Sequence, residues 1–232
     1  MNTTKINGVK LFDWTDSKSL VANSPLATKI YKQERLSVCQ QTDRMFGWLM
    51  IMQWLASILV ALIVSPFTWA GRDAFIHPHI FFVTVFGSVI TAFPVYLAFR
   101  HAGEPVTRFV MAVCQMLYSG MLIHLTGGRI ETHFHIFGSL AFLSFYRDWR
   151  VLAVASLVTL LDHALRGIYI PESIYGVALA SPWRTVEHVW WVLFEDIFLI
   201  SAGYQSLSAM MNNANKQAEL EVTRLRVEEL VT

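Results

Sequence analysis

Charge is what this sequence has least of. Asp, Glu, Lys and Arg make up 15% of its 232 residues, where a soluble domain carries about 25%. With 54% hydrophobic residues, the chain does not read as an ordinary soluble globule. A net charge of +1 offers no electrostatic basis for binding nucleic acid. Two cysteines, Cys39 and Cys114, exclude a disulfide framework. No cleavable signal peptide is expected either, because residues 1–45 are polar and hold no apolar core segment.

What is present is a series of long apolar runs separated by short charged patches, the pattern of a polytopic membrane protein. Crossing the hydrocarbon takes about 20 residues, with a range of roughly 17 to 25. Six segments are expected to cross: 46–65, 79–99, 107–125, 129–146, 150–166 and 187–210, the fourth and fifth being short. Pro94 is expected to kink the second. The predicted fold is all-α, a six-helix transmembrane bundle over 46–210. It is preceded by a cytoplasmic segment 1–45 and followed by a cytoplasmic coiled-coil helix beginning at 211–232.

The distribution of Lys and Arg predicts orientation. Only Arg72, Arg129, Arg166 and Arg184 of the 18 basic residues fall on one side of this topology. That side is expected to be outside, with both termini cytoplasmic and the protein in a bacterial inner membrane. Trp69, Trp183, Trp190 and Trp191 then lie near the outer boundary, Trp48 and Trp149 near the inner one.

Of the 8 histidines only His101 falls on the inner side. His77, His79, His124, His133, His135, His163 and His188 gather at the outer face, with Glu131, Asp162, Glu187, Glu195 and Asp196. Imidazole and carboxylate together are the ligand set of zinc, iron and copper sites, and carboxylate-rich sets hold paired ions. Glu131 and His135 are four residues apart and share a helical face. His133 is two away from His135 and would point elsewhere on a regular helix. Gly127 and Gly128 suit a tight turn that brings His124 back towards the fourth segment. His188 and Glu195 share a stripe but stand about 10 Å apart along a helix axis, too far for one ion. The expected ligands are Glu131, His135, His163, His188 and Glu195, with His133 and His124 as further candidates. Asp162 and Asp196 are expected to orient ligating imidazoles. One or two transition-metal ions are expected: zinc, iron or copper.

Plainer roles stand beside these. His77 and His79 can face solvent, and Glu187 can sit exposed at a helix N-terminus, where the dipole favours it. Asp162 can pair with Arg166 and Glu131 with Arg129. The whole cluster can be a hydrogen-bonded polar core without metal.

The two ends have different characters. Residues 26–44 have the makings of an amphipathic helix lying on the inner leaflet. At the other end the sixth segment runs on without Gly or Pro from Tyr204, and Leu220, Thr223, Val227 and Leu230 recur at heptad spacing. That pattern predicts a homodimer, and its interruption at Thr232 predicts an attached cytoplasmic output domain.

The runs IHLTGGRIETHFHIFGSLAFLSFYRDWRVL, DHALRGIYIPESIYG and PWRTVEHVWWVLFEDIFL together resemble an N-terminal membrane sensor module of bacterial signalling proteins. Such modules precede histidine kinase, chemotaxis-transducer or diguanylate-cyclase outputs. The resemblance covers residues 122–200 and implies a sensory input built on the polar residues named above. No phospho-acceptor box, nucleotide-binding fold or cyclase domain stands in these residues, so no catalytic residue is assigned. The expected function is a sensor domain whose metal site is relayed through the sixth helix. The rivals are an integral membrane metalloenzyme, a hydrolase or oxygenase, and a haem-binding membrane protein. A transporter is less apt, because the chain shows no repeat.

Overall fold

The computed structural model describes residues 22–232; the first 21 residues of the expected N-terminal segment lie outside the described residues. Seven α-helices occur among the described residues: α1 (Pro25–Val64), α2 (Pro78–Arg100), α3 (Pro105–Leu125), α4 (Ile130–Leu143), α5 (Trp149–Tyr169), α6 (Glu172–Tyr175) and α7 (Pro182–Val231). Four of them open on proline, whose missing N–H costs nothing in a first turn and whose φ is already helical. Side chains finish several of these starts. Ser24 Oγ accepts from the Ala27 amide at 3.0 Å, and Asp148 Oδ1 accepts from the Arg150 amide at 3.2 Å.

α1, α2, α3 and α5 are long and apolar enough to cross a membrane. Of the six expected spans, four meet that measure of length and hydropathy, so the count of six is not supported. α4 has 14 residues, a rise of about 21 Å against a hydrocarbon core of about 30 Å. α7 has the length, 50 residues, but Arg184, Glu187, Glu195 and Asp196 dilute its apolar part. A second departure is a small hairpin, β1 (Phe67–Ala70) paired antiparallel with β2 (Asp73–Ile76). The β-forming residues Thr68, Trp69, Phe75 and Ile76 flank a two-residue loop in which Gly71 takes φ 65°. α2 runs through Pro94 without interruption.

Contacts divide the described residues into two compact units, 37–200 and a second made of 22–36 with 201–232. In the second unit the Asn23 amide donates to Asn215 Oδ1 at 2.8 Å, and Ala27, Met210, Met211, Ala214 and Ala218 are buried. Residues 26–44, expected as a separate amphipathic helix, are the first half of α1. Leu220, Val227 and Leu230 are exposed on α7.

The larger unit is built round α3, against which α2, α4, α5 and α6 all pack. Its Met111, Ala112, Tyr118 and Ile123 have no exposed surface. One end of the unit is fastened by Asp43, wholly buried, which accepts from the Tyr146 hydroxyl and from the Gly103 amide, both at 2.6 Å. Arg108 at the start of α3 lies 3.4 Å from Asp148 at the start of α5. α4 and the 3-10 turn Ser144–Tyr146 thus return the chain to the end where α3 began. At the other end Gly127 and Gly128, both left-handed, make the turn out of α3. A Cβ on Gly128 would meet the Gly176 nitrogen at 2.4 Å, so only glycine lets the α3–α4 turn lie against the end of α6. That contact sets where α4 begins, and with it the height of the first α4 side chains.

Candidate functional site

Two histidines two residues apart on a regular helix are turned about 200° from each other. α4 is regular over Ile130–Leu143, and it sends His133 and His135 in opposite directions. His135 enters a hydrogen-bonded core between α1, α3 and α4. Gln53 Nε2 donates to its Nε2 at 3.0 Å, and its Nδ1 lies 2.8 Å from Ser119 Oγ. Ser119 Oγ donates in turn to the Gln115 carbonyl at 3.1 Å, and Gln115 Nε2 donates to Ser139 Oγ at 2.9 Å. With both ring nitrogens engaged, His135 has no lone pair to spare for a metal.

His133 turns instead towards α5 and α7. Its ring centre lies 5.6 Å from that of His163 and 5.3 Å from that of His188, and the last two are 5.9 Å apart. His133 and His163 are 4% and 1% exposed. The three share one device. Each places Nδ1 against the carbonyl four residues earlier: His133 on Arg129 at 2.9 Å, His163 on Thr159 at 3.1 Å and His188 on Arg184 at 2.8 Å. A carbonyl only accepts, so each Nδ1 carries a proton, and in the neutral tautomer that this bond selects the lone pair is on Nε2. His133 Nε2 is buried with no partner. Asp162 Oδ2, 3.4 Å from His163 Nδ1, reinforces that tautomer. This is how ligating imidazoles are held in metalloproteins, the second N–H fixed by a carbonyl or carboxylate.

Among the described residues no group of three or more His, Cys, Asp and Glu is already placed to hold an ion. The three rings are nonetheless neighbours, with centres 5.3, 5.6 and 5.9 Å apart, and imidazole is a ligand type suited to zinc, copper or iron.

A cavity of about 600 Å³ is lined by the three imidazoles and by Phe137, Trp183 and Trp191, among others. Tyr175 from α6 sets its ring edge-on to His188 at 5.3 Å and pairs its hydroxyl with Thr185 Oγ1 at 2.7 Å. Burial pushes the Tyr175 phenol above its ordinary pKa, the Thr185 bond opposing, so it stays protonated.

The remaining expected ligands, Glu131, His124 and Glu195, are not part of this group of rings. Of the two carboxylates expected to orient imidazoles, Asp162 lies against His163 while Asp196 does not meet one. Glu131 is 70% exposed, on the first turn of α4, with Arg129 3.9 Å away. His124 packs with His79, ring centres 5.1 Å apart, and with Phe82 at 5.9 Å. Asp162 forms a two-pronged pair with Arg166, laid against Gly120 of α3. Glu195, two turns beyond His188, buries Oε2 without a partner. Asp196 accepts from Ser156 at 2.5 Å rather than from an imidazole. Sequence reasoning missed Gln53, Ser119 and Tyr175. Their roles depend on which helices become neighbours, which no local spacing reports. The separation of His133 from His135 was legible in the helical period.

No known protein family matches the chain, and no solved structure matches it. It is similar to Transducer protein Htr8 of Halobacterium salinarum, at 29% identity over 125 residues. The shared stretch is 53% of this chain and 18% of that protein, so the chain spans less than a fifth of the relative's length.

Proposed function

We propose that the chain is the membrane input module of a signal-transduction protein and reads its signal at a metal centre held by His133, His163 and His188. One observation carries the proposal: three imidazoles from three helices, each held at Nδ1 by a carbonyl, line one cavity. Three neutral imidazoles suit zinc, copper or iron. When bound, the ion supplies a Lewis-acidic position for a small ligand entering the cavity. The protein's part is to fix the three rings and to wall the cavity with aromatic side chains.

The signalling half rests on the likeness to a halobacterial transducer and on α7, one helix from Pro182 to Val231 that carries His188. A ligand that favours one placement of His188 over another biases the helix bearing it, and only such unequal binding shifts a population. The exposed Leu220, Val227 and Leu230, with Thr223, form the seam of a homodimer. An output domain joined to α7 receives the shift. The histidine end faces outside, since Lys and Arg concentrate at the other side, and the membrane is the bacterial inner membrane.

The same three-histidine centre with an open position also suits a membrane metalloenzyme, with Glu187 at the cavity as its base. Consumption of a bound ligand by the purified chain distinguishes that reading, because a sensor binds without turnover.

The test is elemental analysis of the full chain after exposure to zinc, copper or iron, beside four variants. About one ion per chain is expected in the wild type and in His135→Ala. Affinity falls by about 100-fold or more in His133→Ala, His163→Ala and His188→Ala, since loss of even an orienting partner costs 10- to 100-fold. No stoichiometric ion in the wild type, or equal retention in all variants, removes the metal centre.

A further inference from the structure

Asp196 stands apart from the histidine centre. It is 6% exposed on α7, and Ser156 of α5 donates to its Oδ2, while Oδ1 is buried with no partner. A carboxyl oxygen left unmet in an apolar surrounding is unfavourable, having lost its water without gaining a partner, so it calls for an occupant. The cavity it faces provides the room. Between α5 and α7 lies a space of about 550 Å³, lined by Ser156, Leu157, Leu160, Leu193, Asp196 and Ile197 among others. Small-molecule sites fall in this size range, apolar with a few polar groups that fix orientation.

The lining restricts the occupant. It contains no Lys or Arg, which leaves nothing to pair a phosphate or carboxylate headgroup. A bare acyl chain fills the volume but leaves Oδ1 as it is. Leu157, Leu193 and Ile197 are about half exposed, so the mouth is apolar and admits a lipid-soluble molecule. The fitting chemistry is an apolar ring bearing an oxygen that meets a carboxyl: a carbonyl accepts from it and a hydroxyl donates to it.

We propose that the cavity between α5 and α7 is a binding site for a lipid-soluble quinone or quinol, with its ring oxygen on Asp196. The site shares Thr159, Val189 and Val192 with the wall of the histidine cavity. Occupancy therefore bears on the same stretch of α7 that carries His188. The inference does not depend on the metal centre, and its assay needs no metal.

Decylubiquinone is titrated into the full chain in lipid nanodiscs, with binding to empty discs subtracted. Saturable binding of about one quinone per chain is expected. It weakens at least tenfold in Asp196→Leu, which removes the anchor. It weakens to the same extent in Ile197→Trp, which fills the mouth and leaves the anchor in place. Glu195→Gln, outside the lining, binds as the wild type does. Binding no greater than to empty discs, or unchanged in both cavity variants, overturns the proposal. So does equal displacement by decanol, which would make the cavity a general seat for lipid chains. Disulfide cross-linking of Leu157→Cys to a second copy would make the cavity a protein interface and overturn the proposal as well.

Discussion

Gly127 and Gly128 provide a matched pair of perturbations. Both have positive φ, 68° and 75°, so alanine at either position takes on left-handed strain of about 1 to 2 kcal/mol. Their surroundings differ. A Cβ on Gly127 meets nothing within 4 Å, whereas one on Gly128 lies 2.4 Å from the Gly176 nitrogen and 2.7 Å from the Ile174 carbonyl. Carbon contacts are comfortable at about 3.5 Å or more, so Gly128→Ala must drive two stretches of backbone about 1 Å apart. Overpacking of that kind costs about 1 to 3 kcal/mol, giving a total of roughly 2 to 5 against 1 to 2 for Gly127→Ala. At about 2 to 4 °C per kcal/mol for a chain of this size, the melting temperature drops by roughly 4 to 20 °C for Gly128→Ala and by roughly 2 to 8 °C for Gly127→Ala. The displacement also moves the start of α4, and with it His133, so added zinc binds at least tenfold more weakly to Gly128→Ala alone. Thermal unfolding in detergent with a zinc titration on both variants measures this. Equal melting of the two would refute the close approach of the turn to α6.

Three further outcomes follow from the hydrogen-bond geometry. His135→Ala strands Gln53 and Ser119 and lowers stability by about 1 to 3 kcal/mol without loss of metal. Adding Gln53→Leu recovers part of that loss, and strict additivity in denaturant unfolding would contradict the pairing. Tyr146→Phe removes a hydrogen bond to a buried carboxylate and costs about 1.5 to 3 kcal/mol; an unchanged unfolding midpoint would deny the Asp43–Tyr146 contact. Arg166→Met leaves Asp162, 21% exposed, without its guanidinium and lowers the unfolding midpoint. Asp162→Asn in the same chain restores most of it, because the uncompensated charge is then gone.

Much of the architecture was legible in the amino-acid order alone. Apolar run length marked α1, α2, α3 and α5 as spans, and the paired glycines marked the turn out of α3. The span count failed where length and hydropathy part company. α4 is apolar but short, and α7 is long but carries Glu187, Glu195 and Asp196. The hairpin at 67–76 was not anticipated, since four-residue strands leave too little pattern to read.

The candidate site divides along the same line. The sequence by itself determined that imidazoles and acids collect at one end of the bundle, and that His133 and His135 leave α4 on opposite sides. Both follow from local geometry, the helical period and the position of residues along each apolar run. Only the tertiary structure decided that His133 meets His163 and His188, that His135 is absorbed by Gln53 and Ser119, and that Asp196 faces Ser156. The rotation and axial height of one helix against another are set by packing over whole faces and by contacts such as Gly128 on Gly176. A residue's own neighbours in the chain carry no record of them.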